Sequence, residues 1–341
     1  VIEKLRGLVG SGAAALPSAL AGAVLIWGFS LPTLAAQDEP RAWLADMNDA
    51  FNTVSYDGVF SFFSGSELAS LRIVHMVIDG IQHERLIHQN GAPREIVRRG
   101  EEVVCILMPG DDLLSLEANL PAGPFARSFV RRYDSISDYY GLRFFGEDRV
   151  ADRPAVRLAV MPRDGDRFGY RLWLDKETRL LLKSELIDSD GNALEIFQFS
   201  SIVIGEDVDP TALEPSGERD QAKVSNFVLD SQPSVPVVEA SRWQAGWLPE
   251  GFTLSSTHTR RTMGEDKLVN TMMFSDGLAA FSVFIEDMPP AGAADMVSRN
   301  GATVAVTHLT EGPEAGPHLI TLVGELPTGT AERIAQSIRY R

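Results

Sequence analysis

FGYRLWLDKETRLLLKSELIDSDGNALEIFQF, residues 168–199, is the stretch that decides the fold class. Apolar side chains fall at every second position in Tyr170/Leu172/Leu174, then Leu180/Leu182, then Leu194/Ile196, which is the period of a β-strand. Lys176-Glu177-Thr178 and Ser189-Asp190-Gly191 carry turn chemistry, so the segment reads as three strands joined by two tight turns. The opposite faces hold Trp173, Leu181, Ile187, Phe197 and Phe199. An antiparallel sheet with one wet face should not be apolar on both sides. The second face must therefore cover something, either another element or a ligand.

Upstream, strand-like runs recur at 58–64, 71–78, 95–99, 103–108, 142–150 and 155–161. Asp79-Gly80, Asn90-Gly91 and Pro109-Gly110 punctuate them. Ahead of these strands, Pro40 opens a helix whose Trp43, Leu44, Met47, Ala50 and Phe51 share one face. One helix followed by a long meander is not the alternation of a parallel sheet, so the fold class is α+β, mostly antiparallel β.

From Gly205 to Ala240 the chain becomes acidic and Pro-bearing and loses apolar periodicity, as a linker does. Beyond it a smaller α+β unit begins at WQAGWLPEGF, residues 243–252. A hairpin turning at Ser275-Asp276-Gly277 follows, then strands at 302–309 and 318–326. A terminal helix closes the unit, with Thr330 as N-cap and Ile334 and Ile338 on one face. The expected organisation is 1–36 signal peptide, 37–208 first domain, 209–240 linker and 241–341 second domain. The signal reading rests on Lys4 and Arg6, an apolar run from Ala13 to Phe29, and small residues before Gln37. A retained membrane anchor is the competing reading, and Pro17, Pro32 and the small-residue exit weigh against it.

The chain has 341 residues with a formal net charge of −16, which disfavours a nucleic-acid backbone as partner. Its one cysteine, Cys105, sits in the apolar run 103–107, where a buried, inert thiol is expected. The six histidines show no metal-ligand spacing, and no nucleophile elbow, phosphate loop or zinc-protease helix occurs. DSDGN, residues 188–192, has too few ligand positions for a calcium loop and is expected as a hairpin turn. No catalytic residue, metal or cofactor is expected, and the chain reads as a binding protein, not an enzyme. The best constellation lies within residues 120–145. There Phe125, Phe129 and Tyr133 repeat at helical spacing and Arg127, Arg131 and Arg132 flank them. It reads as a core helix or as a cover over an apolar concavity, with guanidinium groups placed for phosphate.

Long strings resemble the MucB/RseB family of envelope-stress regulators. They include AWLADMNDAFNTVSYDGVFSFFSG (42–65), the run from Leu71 to Pro109, and RLWLDKETRLLLKSELIDSDGNALEIFQF. WQAGWLPEGF and FSDGLAAFSVFIED (274–287) carry the likeness into the second unit. The resemblance implies an unclosed N-terminal β-barrel similar to lipoprotein carriers. It also implies a periplasmic regulator that binds the periplasmic region of a membrane-bound anti-sigma factor and shields it from site-1 proteolysis. Such a protein would sit peripheral to the inner membrane through its partner and be released by lipid or lipopolysaccharide. A lipid or lipoprotein carrier is the alternative. Expected lipid contacts are Phe125, Phe129, Arg131, Arg132, Tyr133 and Trp173. Expected partner contacts are Phe274, Phe281 and Phe284, and a homo-oligomer is possible.

Overall fold

The computed structural model describes residues 35–100, 102–107, 136–215, 223–228, 242–261, 268–287, 289, 292–311 and 316–341. Helix α1, Ala35–Thr53, precedes ten strands. These are β1 Tyr56–Ser64, β2 Glu67–Ile78, β3 Ile81–His88, β4 Arg94–Arg99, β5 Glu102–Leu107, β6 Tyr140–Val150, β7 Arg153–Pro162, β8 Gly169–Asp175, β9 Leu181–Ile187 and β10 Ala193–Ile204. The three strands expected in the opening stretch are β8, β9 and β10. Each of their turns begins with an aspartate that caps it. Asp175 accepts from the backbone N–H of Glu177 and Thr178, and Asp188 from those of Asp190 and Asn192. Asp188 is thus the organiser of a hairpin turn.

Residues 223–228 form β11, which pairs with β5. Part of the stretch expected as linker is therefore sheet. A single 3-10 turn, Pro210–Leu213, also lies there, and its Ala212 carbonyl accepts from Arg85 Nη1 at 3.0 Å. The result is one antiparallel sheet in the order β11-β5-β4-β3-β2-β1-β10-β9-β8-β7-β6, open between β11 and β6. Register shifts interrupt the β1–β10, β10–β9, β6–β7 and β8–β9 pairs. Bulges of this kind bend strands and add twist, which is how a long sheet curls.

The inner face, toward α1, carries Leu158, Val160, Tyr170, Leu172, Leu174, Leu181 and Leu186, packed with Leu44 and Met47 of the helix. Trp43 meets Phe144 edge-on at 6.0 Å, and the Arg179 guanidinium lies 3.7 Å over the Trp43 ring. Farther along, Ala50 meets Tyr56, Phe60, Leu71, Leu180 and Phe199. Trp173, Leu182, Ala155 and Val150 form a separate small cluster. Several expected face assignments change. Leu181, Phe197 and Phe199 pack on the α1 face and Leu182 joins Trp173 on the other, because the register shifts at Trp173/Leu174 and Ala193/Glu195 break strict alternation. The face that looked too apolar is thus largely the inner face itself.

The second module contains β12 Trp243–Ala245, β13 Thr253–Arg261, β14 Leu268–Ser275, β15 Ala280–Glu286, β16 Met296–Asn300, β17 Thr303–Glu311, β18 Pro317–Glu325, helix α2 Thr328–Ser337 and β19 Ile338–Tyr340. Its main sheet runs β13-β14-β15-β18-β17-β16, and β12 pairs with β19. Ala331, Ile334 and Ala335 of α2 are buried on one side of this sheet with Phe281, Val283, Ile285, Val304 and Ile320. Along β15, Ser282, Phe284 and Glu286 alternate with those buried residues and face the other way. Pro327, not Thr330, occupies the N-cap of α2.

Candidate partner and ligand surfaces

The inner face of the first sheet is unevenly closed. Under α1, Leu158, Leu172 and Leu174 are fully buried. On β2–β4 the cross-strand row Ile73, Leu86, Ile96 is only half-buried, as are Phe62 and Ala69 beside it. This row is an apolar wall. At its end runs a polar row in the same register: Tyr56, His75, Glu84 and Arg98 on β1 to β4. Tyr56 stacks on His75 at 5.0 Å, and His75 Nδ1 lies 3.1 Å from Glu84 Oε1. Arg98 Nε donates to Glu84 Oε2 at 2.7 Å. Burial alone would raise the Glu84 carboxyl, but bonds to His75 and Arg98 outweigh it and hold the group at about 2. Glu84 is therefore ionised and fully partnered, a structural anchor for the open half of the sheet.

The second feature is the junction of the two modules. Asp276, the expected hairpin-turn aspartate, points into the first module and pairs with Arg167 Nη1 at 2.5 Å, with both side chains wholly buried. Asp276 Oδ2 also accepts from Tyr140 Oη at 3.0 Å, while Oδ1 caps the N–H groups of Leu278 and Ala279. Arg167 is held further by Asp164 and by the Glu250 carbonyl, to which Nη2 donates at 2.6 Å. Rings of Tyr139, Tyr140 and Phe252 surround its guanidinium within 5.5 Å. Burial and the adjacent Asp276 carboxylate keep Tyr140 protonated, with its ionisation well above the usual range. Gly251 has a positive φ of 90°, and a Cβ there would fall 2.3 Å from the Tyr139 ring. Only glycine allows this approach. Thr330, displaced from its expected capping role, donates to Asp166 at 2.9 Å across the junction.

Apolar contacts finish the seam: Leu278 and Ala302 of the second module are buried in the first module's core. Glu195 is buried there too, and burial raises its carboxyl above the ordinary range, partly offset by hydrogen bonds from Ser64 and the Ala302 backbone. The sequence reading expects two modules on a flexible acidic linker. The structure docks them, and residues 35–341 form one compact unit.

Of the expected lipid contacts, Phe125, Phe129, Arg131, Arg132 and Tyr133 lie outside the described residues. Trp173 is described and buried, and it lies on the face opposite Leu172 and Leu174. Its Nε1 donates to Asp148 at 2.9 Å and Lys183 Nζ sits 4.4 Å over the ring, so it is not part of the apolar wall. Of the expected partner contacts, Phe274 and Phe281 are core residues at 4% and 2% exposure, stacked at 5.0 Å. Both alternate onto the α2 side of the sheet and offer no outward surface. Phe284 points to the open side and is half-buried, in register with Thr271 and Thr321. The junction residues Arg167, Asp276, Tyr140 and Gly251 were missed. The Pro-Glu-Gly-Phe run and the Asp-Gly turn were their visible signals, and each reads locally as an ordinary turn. The Cys105 side chain is not described, though its strand position opposite Ile96 is.

No group of three His, Cys, Asp or Glu among the described residues could hold a metal ion, and no helix among them is long and apolar enough to cross a membrane. The fold defines a class: an unclosed antiparallel β-sheet locked to a small α+β module, with a half-buried apolar wall on the sheet's inner face. Family models divide the chain in the same way. The MucB/RseB N-terminal domain matches residues 39–217 and the MucB/RseB C-terminal domain matches residues 237–339. The chain belongs to the MucB/RseB family. It is similar to the sigma factor AlgU regulatory protein MucB of Pseudomonas aeruginosa, with 37% identity over 87% of this chain and 90% of that protein. It is also similar to the sigma-E factor regulatory protein RseB of Escherichia coli K12, with 31% identity over 88% of this chain and 90% of that one. Among solved structures it matches MucB in complex with MucA(peri), with TM-score 0.72 and 34% identity over 89% of this chain and 99% of that chain.

Proposed function

We propose that this protein is a periplasmic negative regulator of an envelope-stress response. It binds the periplasmic region of a membrane-bound anti-sigma factor, shields it from site-1 proteolysis, and lets go when lipid or lipopolysaccharide binds. The observation that carries this reading is the likeness, across both docked modules, to MucB in complex with MucA(peri). The half-buried apolar wall of Phe62, Ile73, Leu86 and Ile96 is the proposed seat of acyl chains. Phe284, on the open side of the second sheet, is the proposed partner contact of the three phenylalanines first considered. Residues 125–133 keep their proposed role as a cover bearing phosphate-binding arginines. The N-terminal segment acts as an export signal, and the chain has no catalytic role.

Lipid and partner oppose each other through linkage: whatever factor lipid takes from partner affinity, partner takes from lipid affinity. Protease protection tests the reading. A membrane-anchored anti-sigma factor is exposed to the site-1 protease with the full chain, and then with added lipopolysaccharide. Protection that lipopolysaccharide removes is expected. Cleavage at the same rate with and without the chain overturns the proposal.

A further inference from the structure

The outer face of the first sheet, opposite α1, carries a cluster that the function above does not use. At the register shift between Phe144 and Gly146, the β6–β7 pair contains one extra residue, Phe145. Phe144 turns inward to Trp43, whereas Phe145 is 43% exposed. A bulge re-aims a side chain in this way. Gly146 follows at φ 105°, and a Cβ on it would stand 3.1 Å from Arg157 Nη2, so the glycine leaves room for that guanidinium.

Three guanidinium groups gather at the Phe145 ring: Arg157 at 4.9 Å, Arg143 at 5.8 Å and Arg171 at 5.9 Å from its centroid. They come from three adjacent strands. Arg143 and Arg171 both stand opposite Ala159, a small residue that forms the floor between them, and Arg157 lies two positions along the same strand. Arg143 and Arg157 have no ion-pair partner among the described residues, and Arg157 Nε is buried without a hydrogen-bond partner. Arg171 shares Glu185 with Lys183, at 3.3 and 2.9 Å. Asp148 is engaged by the Trp173 N–H. Among the described residues four cations face two carboxylates here, a local surplus of two positive charges in a chain whose formal net charge is −16.

We propose that Arg143, Arg157 and Arg171, grouped around Phe145, form a binding site for a phosphomonoester group. Such a group carries about −1.5 to −2 charges at neutral pH and three acceptor oxygens, which matches the surplus and the number of guanidinium forks. A carboxylate would neutralise half of that surplus. The exposed ring fits the apolar part of whatever carries the phosphate, and cation–π contact preorganises the arginines before the anion arrives. The site goes beyond the acyl-chain reading, because it lies on the other face of the sheet from the apolar wall.

The test uses the full chain with two probes: inorganic phosphate by titration calorimetry, and flotation with phosphatidylcholine vesicles with or without phosphatidic acid. Arg143→Gln and Arg143→Gln/Arg157→Gln are compared with Arg149→Gln, an exposed arginine of the same strand that pairs instead with Asp152. Saturable binding of either probe, weakened more than about tenfold in the double variant and unchanged in Arg149→Gln, is the expected result. Binding of both probes identifies the phosphate itself as the ligand. Binding of phosphatidic acid vesicles alone identifies a lipid-borne phosphate. Saturable binding of neither probe overturns the site, as does equal weakening by Arg149→Gln. Arg143 is exposed and has no ion-pair partner among the described residues, so its single variant tests the site even if the double variant does not fold. Affinity for the anti-sigma peptide is expected to stay unchanged in these variants, and its absence in the wild type would count against the proposed function alone.

Discussion

Asp276→Ala removes the centre of the junction. Three interactions go at once: the buried pair with Arg167, the Tyr140 hydrogen bond, and the caps on Leu278 and Ala279. Breaking a buried ion pair by deleting one partner costs about 3–5 kcal/mol, because it strands a charge away from water. Arg167 keeps Asp164 and the Glu250 carbonyl, so the loss should fall at about 2–4 kcal/mol once those remaining bonds are credited. For a chain of this size that is a drop of roughly 3–6 °C in the thermal midpoint. Arg167→Met with Asp276→Leu removes both charges, and apolar replacement of a buried pair is often close to neutral. The double variant strands no charge and should therefore be more stable than the Asp276 single variant, but it stays short of wild type because Tyr140 Oη, the Glu250 carbonyl and the Leu278 and Ala279 N–H groups lose their partners. Calorimetry of wild type and both variants at neutral pH measures this. A single variant within about 0.5 kcal/mol of wild type would refute the reasoning, as would a double variant no better than the single.

Glu84 sets an acid dependence. Its folded-state pKa, about 2, lies below the ordinary 4.5, so its contribution is complete above about 4.5 and is lost as pH falls toward 2. Glu84→Gln should flatten that part of the urea-unfolding profile, and an unchanged slope would contradict it. Gly251→Ala forces a side chain into the Tyr139 ring at positive φ and should cost about 2 kcal/mol or more by thermal unfolding. Phe281→Ala empties a core site and should cost about 3–5 kcal/mol, whereas Phe284→Ala should change stability little and weaken anti-sigma peptide binding. Equal stability losses at the two positions would show that the assignment of faces on β15 is wrong.

The strands of the opening stretch were legible because local rules decide them: alternation, and aspartates that cap their own turns. The α1 face was legible for the same reason, since Leu44, Met47 and Ala50 recur at helical spacing and are all buried. Which sheet face a residue takes was less so. Leu180, Leu181 and Leu182 enter three different clusters, because a register shift is set by neighbouring strands and not by the residues themselves. The β11 strand was hidden in a Pro-bearing acidic stretch, where pairing with β5 overrides composition. The junction was the least legible element. Arg167 and Asp276 are far apart in the chain, and each reads as a solvated charge in a polar loop until the fold brings them to 2.5 Å. Phe274 and Phe284 sit on neighbouring strands of one hairpin, and only their opposite parity separates a core residue from a surface one.

The central claim is that partner and lipid compete for one regulatory protein. Titration calorimetry of the full chain with the periplasmic region of a membrane anti-sigma factor, repeated at rising lipopolysaccharide, tests it most directly. The account predicts saturable partner binding whose affinity falls as lipopolysaccharide rises, with the reciprocal loss of lipid affinity when partner is present. Partner affinity unchanged at saturating lipopolysaccharide, or no partner binding at all, would contradict it.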